Sequence, residues 1–427
     1  MAYCTKTDLR NQVIYSIYVR NYSEEGTFLE VEKDLDRIKG LGVDIIWFLP
    51  IYPIGQEKRK GILGSPYAIA DYRKVNPELG TMDDFKHLVE GIRTRGMRVM
   101  LDIVYNHTSP DSWLAKNHPE YFYKTPEGEM GNRVGDWGDI VDLDYGNKEL
   151  WDYQIDTLKM WAGIVDGFRC DVAPLVSLAF WLKAREEVAR VNPECIWLSE
   201  SVEPEFIVDM RAKGMTNLSD SEIFQAFDMC YDYDIFKYFR QYLNGEGTLG
   251  RYVEAVNMQE YIYPANYVKM RYLENHDQDR AKEIIPKESA LRNWTAFLYF
   301  QKGATLLYAG QEFENDHLPS LFDIDKMDRN TGRDISGLMR TLYGIKQRFG
   351  EADWFTAAAD DTNDIAVMQR GSQGKRFVGI FSLKAKGADV SIAVPDGEYE
   401  NLIDSSTVTV SGGMLHCGGK PIIFRAE

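Results

Sequence analysis

The sequence is poor in the residues that mark several protein classes. Cysteine occurs 5 times in 427 residues, as Cys4, Cys170, Cys195, Cys230 and Cys417. That count is odd, no two are spaced as metal ligands, and three lie in apolar stretches as small core residues do. A disulfide framework is thus not indicated, and a reducing, cytoplasmic compartment is the expectation. His-x-x-x-His and Cys-x-x-Cys spacings are absent, which removes the usual zinc sites. No apolar run approaches the roughly 20 residues of a membrane span. The polar start, Met1 to Arg10, has no apolar signal core. Positive charge is also short: 49 Lys and Arg against 66 Asp and Glu leave a net charge of −17. That balance argues against nucleic acid or an anionic membrane as partner.

What is present is a large soluble core. Aromatics make up 13% of the chain; with many carboxylates they suit a sugar ligand, though a big core and a soluble surface need the same composition. Apolar β-rich runs alternate with helical periods. Val13–Val19, Asp44–Leu49, Arg98–Val104, Gly167–Cys170, Ile196–Ser199, Phe227–Cys230, Val268–Leu273 and Thr305–Tyr308 read as strands. Helical patterns fall between them, near 28–40, 81–95, 148–162, 178–191, 289–300 and 335–349. Apolar rather than alternating strands point to parallel strands covered by helices. About eight such units is the count of a (β/α)8 TIM barrel. A doubly wound sheet is the runner-up, weakened because no Gly-rich phosphate turn follows the first strand.

Two stretches break the rhythm. Residues 108–145 are polar and rich in Gly, Trp and Asp, and read as a small excursion after the third strand. From about Trp354 the helical period gives way to short β runs separated by turn signals such as Pro395-Asp-Gly397 and Gly412-Gly413. The expected organisation is therefore a barrel over 1–107 and 146–352, a short domain B at 108–145, and an antiparallel, sandwich-like C-terminal β domain over 353–427.

A barrel of this kind carries its active site at the C-terminal ends of the strands. Asp102 and Asn106 with His107 follow the third strand there, Arg169 and Asp171 the fourth, Glu200 the fifth, and Glu274 to Asp277 with Arg280 the seventh. In a strand, residues two apart share a face, so Arg169 and Asp171 point the same way. By itself that pair is either a structural ion pair or an oriented carboxylate nucleophile. Polar clusters at four strand ends favour a functional site.

These stretches resemble the four ordered signature regions of the α-amylase family, glycoside hydrolase family 13: Asp102-Ile-Val-Tyr-Asn-His107, Gly167-Phe-Arg-Cys-Asp171, Trp197-Leu-Ser-Glu200 and Glu274-Asn-His-Asp277. Regions around Gly64–Tyr72, Val141–Gly146 and Gly303–Glu312 resemble further family segments. The resemblance implies Asp171 as nucleophile, Glu200 as general acid/base and Asp277 as transition-state stabiliser. It implies that Arg169 orients the nucleophile, with Asp102 as its structural partner. Tyr67, His107, His276 and Arg280 are then the expected substrate-binding residues. The implied activity is retaining hydrolysis of α-1,4-glucosidic bonds in maltodextrins or soluble starch, with no cofactor required. Calcium is a candidate ligand, through Asn106 and an aspartate of the 139–144 run, with Asp144 the chosen position.

Departures from the family pattern bear on the aglycone side. Pro174 and Leu175 stand where many amylases have a Lys-His pair, and Ser199 replaces a glycine. The short excursion implies an open cleft suited to endo-action. Rival readings are an exo-α-glucosidase, a glucan- or sucrose-active transferase, a non-catalytic sugar-binding barrel, and an unrelated barrel whose carboxylates hold a metal.

Overall fold

The computed structural model describes residues 5–134, 137–351, 354–372 and 374–426. Cys4 and the 352–353 boundary lie outside them. Eight parallel strands close a barrel: β1 (Val13–Ile17), β2 (Ile45–Phe48), β3 (Arg98–Ile103), β4 (Gly167–Cys170), β5 (Ile196–Ser199), β6 (Met229–Tyr231), β7 (Val268–Arg271) and β8 (Ala304–Tyr308). Strand neighbours follow chain order, and β8 closes onto β1. The barrel reading thus holds, and the doubly wound sheet does not.

Almost every barrel-strand residue is buried, because the interior is filled by side chains and the exterior by helices. That is why the strands read as continuous apolar runs. Close packing also explains Gly167: a Cβ there would sit 2.8 Å from the Ile196 carbonyl oxygen on β5. Register does the chemical work. Asp102 on β3 pairs with Arg169 on β4, and Cys170 with Ser199 on β5, so residues far apart in sequence arrive at one level.

Three local readings change. The helix expected over 28–40 is two helices, Phe28–Lys33 and Leu35–Gly40, broken at Asp34. The Asp34 carboxylate accepts from Tyr22, Arg37 and Arg329, a tertiary anchor no local period reveals. Helices Tyr233–Asn244 and Leu249–Ile262 fill a stretch where the sequence pattern placed none. The buried face of the first is carried largely by Tyr and Phe, residues that also favour strands.

The excursion after β3 holds little regular structure: a helix at Trp113–Asn117 and a two-residue ladder joining His107–Thr108 to Val141–Asp142. Past the barrel, the chain forms two four-stranded antiparallel sheets. The first comprises β9 (Trp354–Asp360), β10 (Ile365–Ser372), β11 (Lys375–Ser382) and β16 (Ile422–Arg425). The second comprises β12 (Ala388–Ser391), β13 (Gly397–Glu400), β14 (Thr407–Ser411) and β15 (Met414–Cys417), in the order β12-β15-β14-β13. A separate apolar core that includes Val378, Ile380, Val390, Leu415 and Phe424 joins them. Phe381 on the first sheet packs against Phe297 and Phe300 of the barrel helix Glu288–Phe300. Among the described residues no helix is long and apolar enough to cross a membrane.

Candidate active site

Arg169 is the hub of the site. Its guanidinium is fully buried at the C-terminal end of β4. Nη1 donates to Asp102 Oδ1 at 2.9 Å and to Asp171 Oδ1 at 2.7 Å. Nε donates to the Tyr231 hydroxyl at 3.1 Å. Nη2 approaches Glu200 Oε1 to 2.7 Å, an ion-pair contact outside good hydrogen-bond angles. Trp47, Tyr67 and Tyr231 surround it with ring faces, at 5.2, 5.7 and 5.4 Å from the ring centres. One cation therefore serves three carboxylates. A fixed planar fork can do this; a lysine cannot.

That shortage of positive charge shapes the acidities. Burial pushes the Glu200 carboxyl up to about 8; Arg169 opposes the rise, while Asp171 and Asp277 add to it. Burial also lifts Asp171, to about 6, against the pull of Arg169. Arg169 pulls the Asp171 carboxyl down, but desolvation outweighs it. The order of the two is plain: Glu200 sits above Asp171. Burial carries His107 down to about 4, so its imidazole is neutral.

The carboxylates of Asp171 and Glu200 are positioned differently. Asp171 commits Oδ1 to Arg169, and its Oδ2 lies 4.0 Å from His107 Nε2. Glu200 Oε2 accepts the backbone N–H of Val172 at 2.8 Å. Val172 has φ 34° and ψ 43°, a left-handed conformation that is strained for a β-branched residue. The strain turns its N–H toward Glu200, directly after the nucleophile. No sequence signal marks it, since Val is the last residue one would place there.

Tyr67 stacks on His276 with ring planes 10° apart, and its hydroxyl lies 2.7 Å from His276 Nε2 and 3.2 Å from Asp102 Oδ2. His276 Nε2 lies 3.0 Å from Asp277 Oδ2, while buried Nδ1 has no partner. Desolvation alone would lift Asp277, but His276 outweighs it and holds the carboxyl below its usual value. Asp277 itself stands exposed at the cleft.

These groups open onto a cavity of about 390 Å³. Tyr67, His107, Asp171, Glu200 and Asp277 line it, with Lys60, Trp137, Ile140, Val202, Glu203, Phe206, Tyr233, Leu321 and Phe322. The last nine are not singled out by sequence reasoning. Tyr233 follows the end of β6, and Val202 and Glu203 follow Glu200 after β5, so these are within reach of that logic; Phe206 lies on the helix Pro204–Ala212, and the others come from long loops.

Arg280 is a correction. It does not line the cavity; it is fully buried beneath it, donating to Glu274 Oε1 at 2.6 Å and to the Ala309 carbonyl at 3.0 Å. It braces the β7 and β8 loops. Pro174 and Leu175 do not touch the catalytic cavity either, and Leu175 lines a second one. The apolar residues that follow Asp171 and Glu200 in the cavity wall are instead Val172, Val202 and Phe206.

That second cavity brings Asn106 and Asp144 together with Asp142 and Arg133. The donors do not fit a calcium ion. Arg133 already places its guanidinium 3.8 Å from Asp142 Oδ2 and its N–H 2.7 Å from the same oxygen. Asp144 Oδ1 accepts the Gly146 N–H. Among the described residues no group of three or more His, Cys, Asp or Glu is arranged to hold a metal, and calcium asks for six to eight oxygens, to order of magnitude about this many around one point.

Comparison with known proteins agrees with this geometry. Residues 14–132 and 134–348 match the family model described as alpha amylase, catalytic domain. Residues 356–424 match the bacterial alpha amylase C-terminal domain. An alpha-amylase structure from Lactobacillus plantarum is 48% identical, with a TM-score of 0.96 over 98% of this chain and 100% of that one. Alpha-amylase MalA of Haloarcula japonica is 30% identical over 321 residues, 71% of this chain and 44% of the relative. An alpha-1,4-glucan:maltose-1-phosphate maltosyltransferase of Methylacidiphilum infernorum is 30% identical over 228 residues, 47% of this chain and 34% of the relative. The chain spans less than half the length of these two curated relatives. On the match of its catalytic region and its barrel, the chain belongs to the α-amylase family, glycoside hydrolase family 13.

Proposed function

We propose that this protein hydrolyses α-1,4-glucosidic bonds of maltodextrins and soluble starch with retention of configuration. The observation that carries the reading is the shared hub: one buried Arg169 holds a nucleophile and an acid whose acidities burial has set in the required order. Asp171 Oδ2, the oxygen not bound to Arg169, attacks the anomeric carbon. The glycosidic C–O bond breaks, and the Glu200 proton passes to the leaving oxygen. Water then attacks the same carbon, gives its proton to Glu200 and releases the Asp171 carboxylate. Asp277 would bond sugar hydroxyls more strongly as the ring flattens. Tyr67 offers a ring face, and neutral His107 an N–H, to the reacting sugar.

These steps draw on no metal and no cofactor. The partner is an α-glucan oligosaccharide; the acidic surface suits neither nucleic acid nor membrane, and the free, buried cysteines suit a cytoplasmic setting. The test is NMR of the first products from maltoheptaose: new reducing ends should appear as the α-anomer. First appearance of the β-anomer would overturn retention.

A second reading is glucan transfer. Val172, Val202 and Phe206 make an apolar aglycone wall on which a second sugar competes well with water. Products longer than the substrate would favour it.

A further inference from the structure

Around the barrel, β1 stands diametrically opposite β5, the strand that presents Glu200. The loops after β2 and β8 flank that opposite point. Glu200 protonates the leaving oxygen, so the aglycone lies on its side, with Val202 and Phe206. The glycone extends the other way, toward those two loops.

The two loops are tied to each other. The Ile62 N–H donates to Asp323 Oδ1 at 2.8 Å, and the Leu63 N–H to the Phe322 carbonyl at 3.0 Å. Gly61, at φ +63°, lies so close to Phe322 that a Cβ would come within 2.6 Å of the Phe322 Cβ. From below, buried Arg20 reaches the Gly64 carbonyl at 3.3 Å and the Leu321 carbonyl at 3.5 Å. The excursion joins the same corner: Lys60 Nζ lies 3.0 Å from Asp139 Oδ1, whose side chain is 5% exposed. Lys60, Leu321 and Phe322 all line the catalytic cavity.

We propose that this three-way junction closes the glycone end of the cleft, so that the enzyme takes α-glucans by their non-reducing ends and releases short products. The inference rests on the hydrolytic reading above and reverses the expectation of an open, endo-acting cleft. The excursion is indeed short, but the loops after β2 and β8 supply the wall it lacks. A chain threading past the glycone site would have to part Ile62 and Leu63 from Phe322 and Asp323, and a blocked sugar terminus would clash with Phe322.

The experiment compares p-nitrophenyl maltoheptaoside with a free non-reducing end against the same compound carrying a 4,6-O-benzylidene block there. The wild-type protein should cleave the blocked compound about tenfold more slowly or worse. Asp323→Ala, which removes the acceptor of the Ile62 N–H, should bring the two rates closer together. Its melting curve reports whether it folds, and Lys60→Ala provides a second opening of the same junction from the excursion side. Equal cleavage of both compounds by the wild type overturns the closure while leaving hydrolysis standing. Cleavage of neither overturns both readings.

Discussion

Two of the buried charge networks in the barrel are built to opposite rules. Around Lys269 and Arg271 on β7 every group is answered. Lys269 spends its donors on Asp220, on Asp234 at 2.9 Å and on the Tyr231 carbonyl at 3.0 Å. Arg271 Nη1 reaches both oxygens of Asp232 at 2.8 Å, and Gln259 ties Asp232 to Asp234. Around Arg169 one guanidinium answers Asp102, Asp171 and Glu200, and its own Nη2 and the neighbouring His276 Nδ1 are buried polar atoms without hydrogen-bond partners. The first network is sealed; the second opens onto a cavity. Unmet electrostatic demand is what a substrate and a migrating proton can satisfy, which supports the proposal that the incomplete network is the catalytic one.

The largest effect should come from breaking the incomplete network. Asp171→Asn or Glu200→Gln should lower kcat on maltoheptaose by about three orders of magnitude or more, as initial rates will show. Neither should lower the melting temperature much, since Asp171→Asn leaves Arg169 bonded to Asp102 and Glu200→Gln replaces an acid that burial already keeps protonated. Near-wild-type rates in either variant would end the assignment of roles.

Breaking the complete network should do the reverse. Lys269→Met leaves Asp220 and Asp234 buried without a cation, a loss on the order of 3–5 kcal/mol. Urea denaturation should register it, while kcat of the protein that remains folded stays close to the wild type. A large fall in kcat without loss of stability would erase the distinction between the networks.

A third difference is pH. Catalysis needs Asp171 ionised and Glu200 protonated, so kcat/KM should rise as pH climbs through about 6 and fall as it passes about 8. Glu200→Gln should remove the alkaline limb from whatever activity persists. Stability follows from the same shift. Glu200 has a higher pKa folded than its ordinary 4.5, so between that value and about 8 the folded state holds a proton the unfolded chain has lost. Its contribution therefore weakens as pH rises across that window. Melting temperatures of Glu200→Gln should gain on the wild type toward pH 8, and a constant difference across pH would contradict the burial of this acid.

The smallest effect concerns Arg133. Because its guanidinium already stands beside Asp142, a chelator such as EDTA should leave activity unchanged. Loss of activity restored by calcium would show that the Asn106 region holds an ion after all.

Much of this was legible before any coordinates. Continuous apolar runs such as Ile45–Phe48 and Ile196–Ser199 reveal buried parallel strands, because a barrel strand is covered on both faces. Polar residues at the ends of those runs reveal the catalytic carboxylates, because strand ends converge. Less legible were features held by contacts distant in sequence. The helix Tyr233–Asn244 carries an aromatic face that also suits a strand. Arg280 sits at a strand end like the others, yet its side chain turns inward to Glu274. Of the eight C-terminal strands, Gly397–Glu400 is short and mostly exposed, and pairing with Thr407–Val410 identifies it.

The sequence by itself determined the barrel, the strand on which each catalytic carboxylate stands, and the face shared by Arg169 and Asp171, since these follow from the period of hydrophobicity and the alternation of a strand. The tertiary structure decided how one guanidinium is divided among three acids, that burial rather than Arg169 governs the acidity of Asp171, that Val172 is bent to serve Glu200, and that Gly61 meets Phe322 opposite the acid. Those outcomes depend on desolvation and on loops meeting across hundreds of residues, and neither is a property of any local stretch of chain.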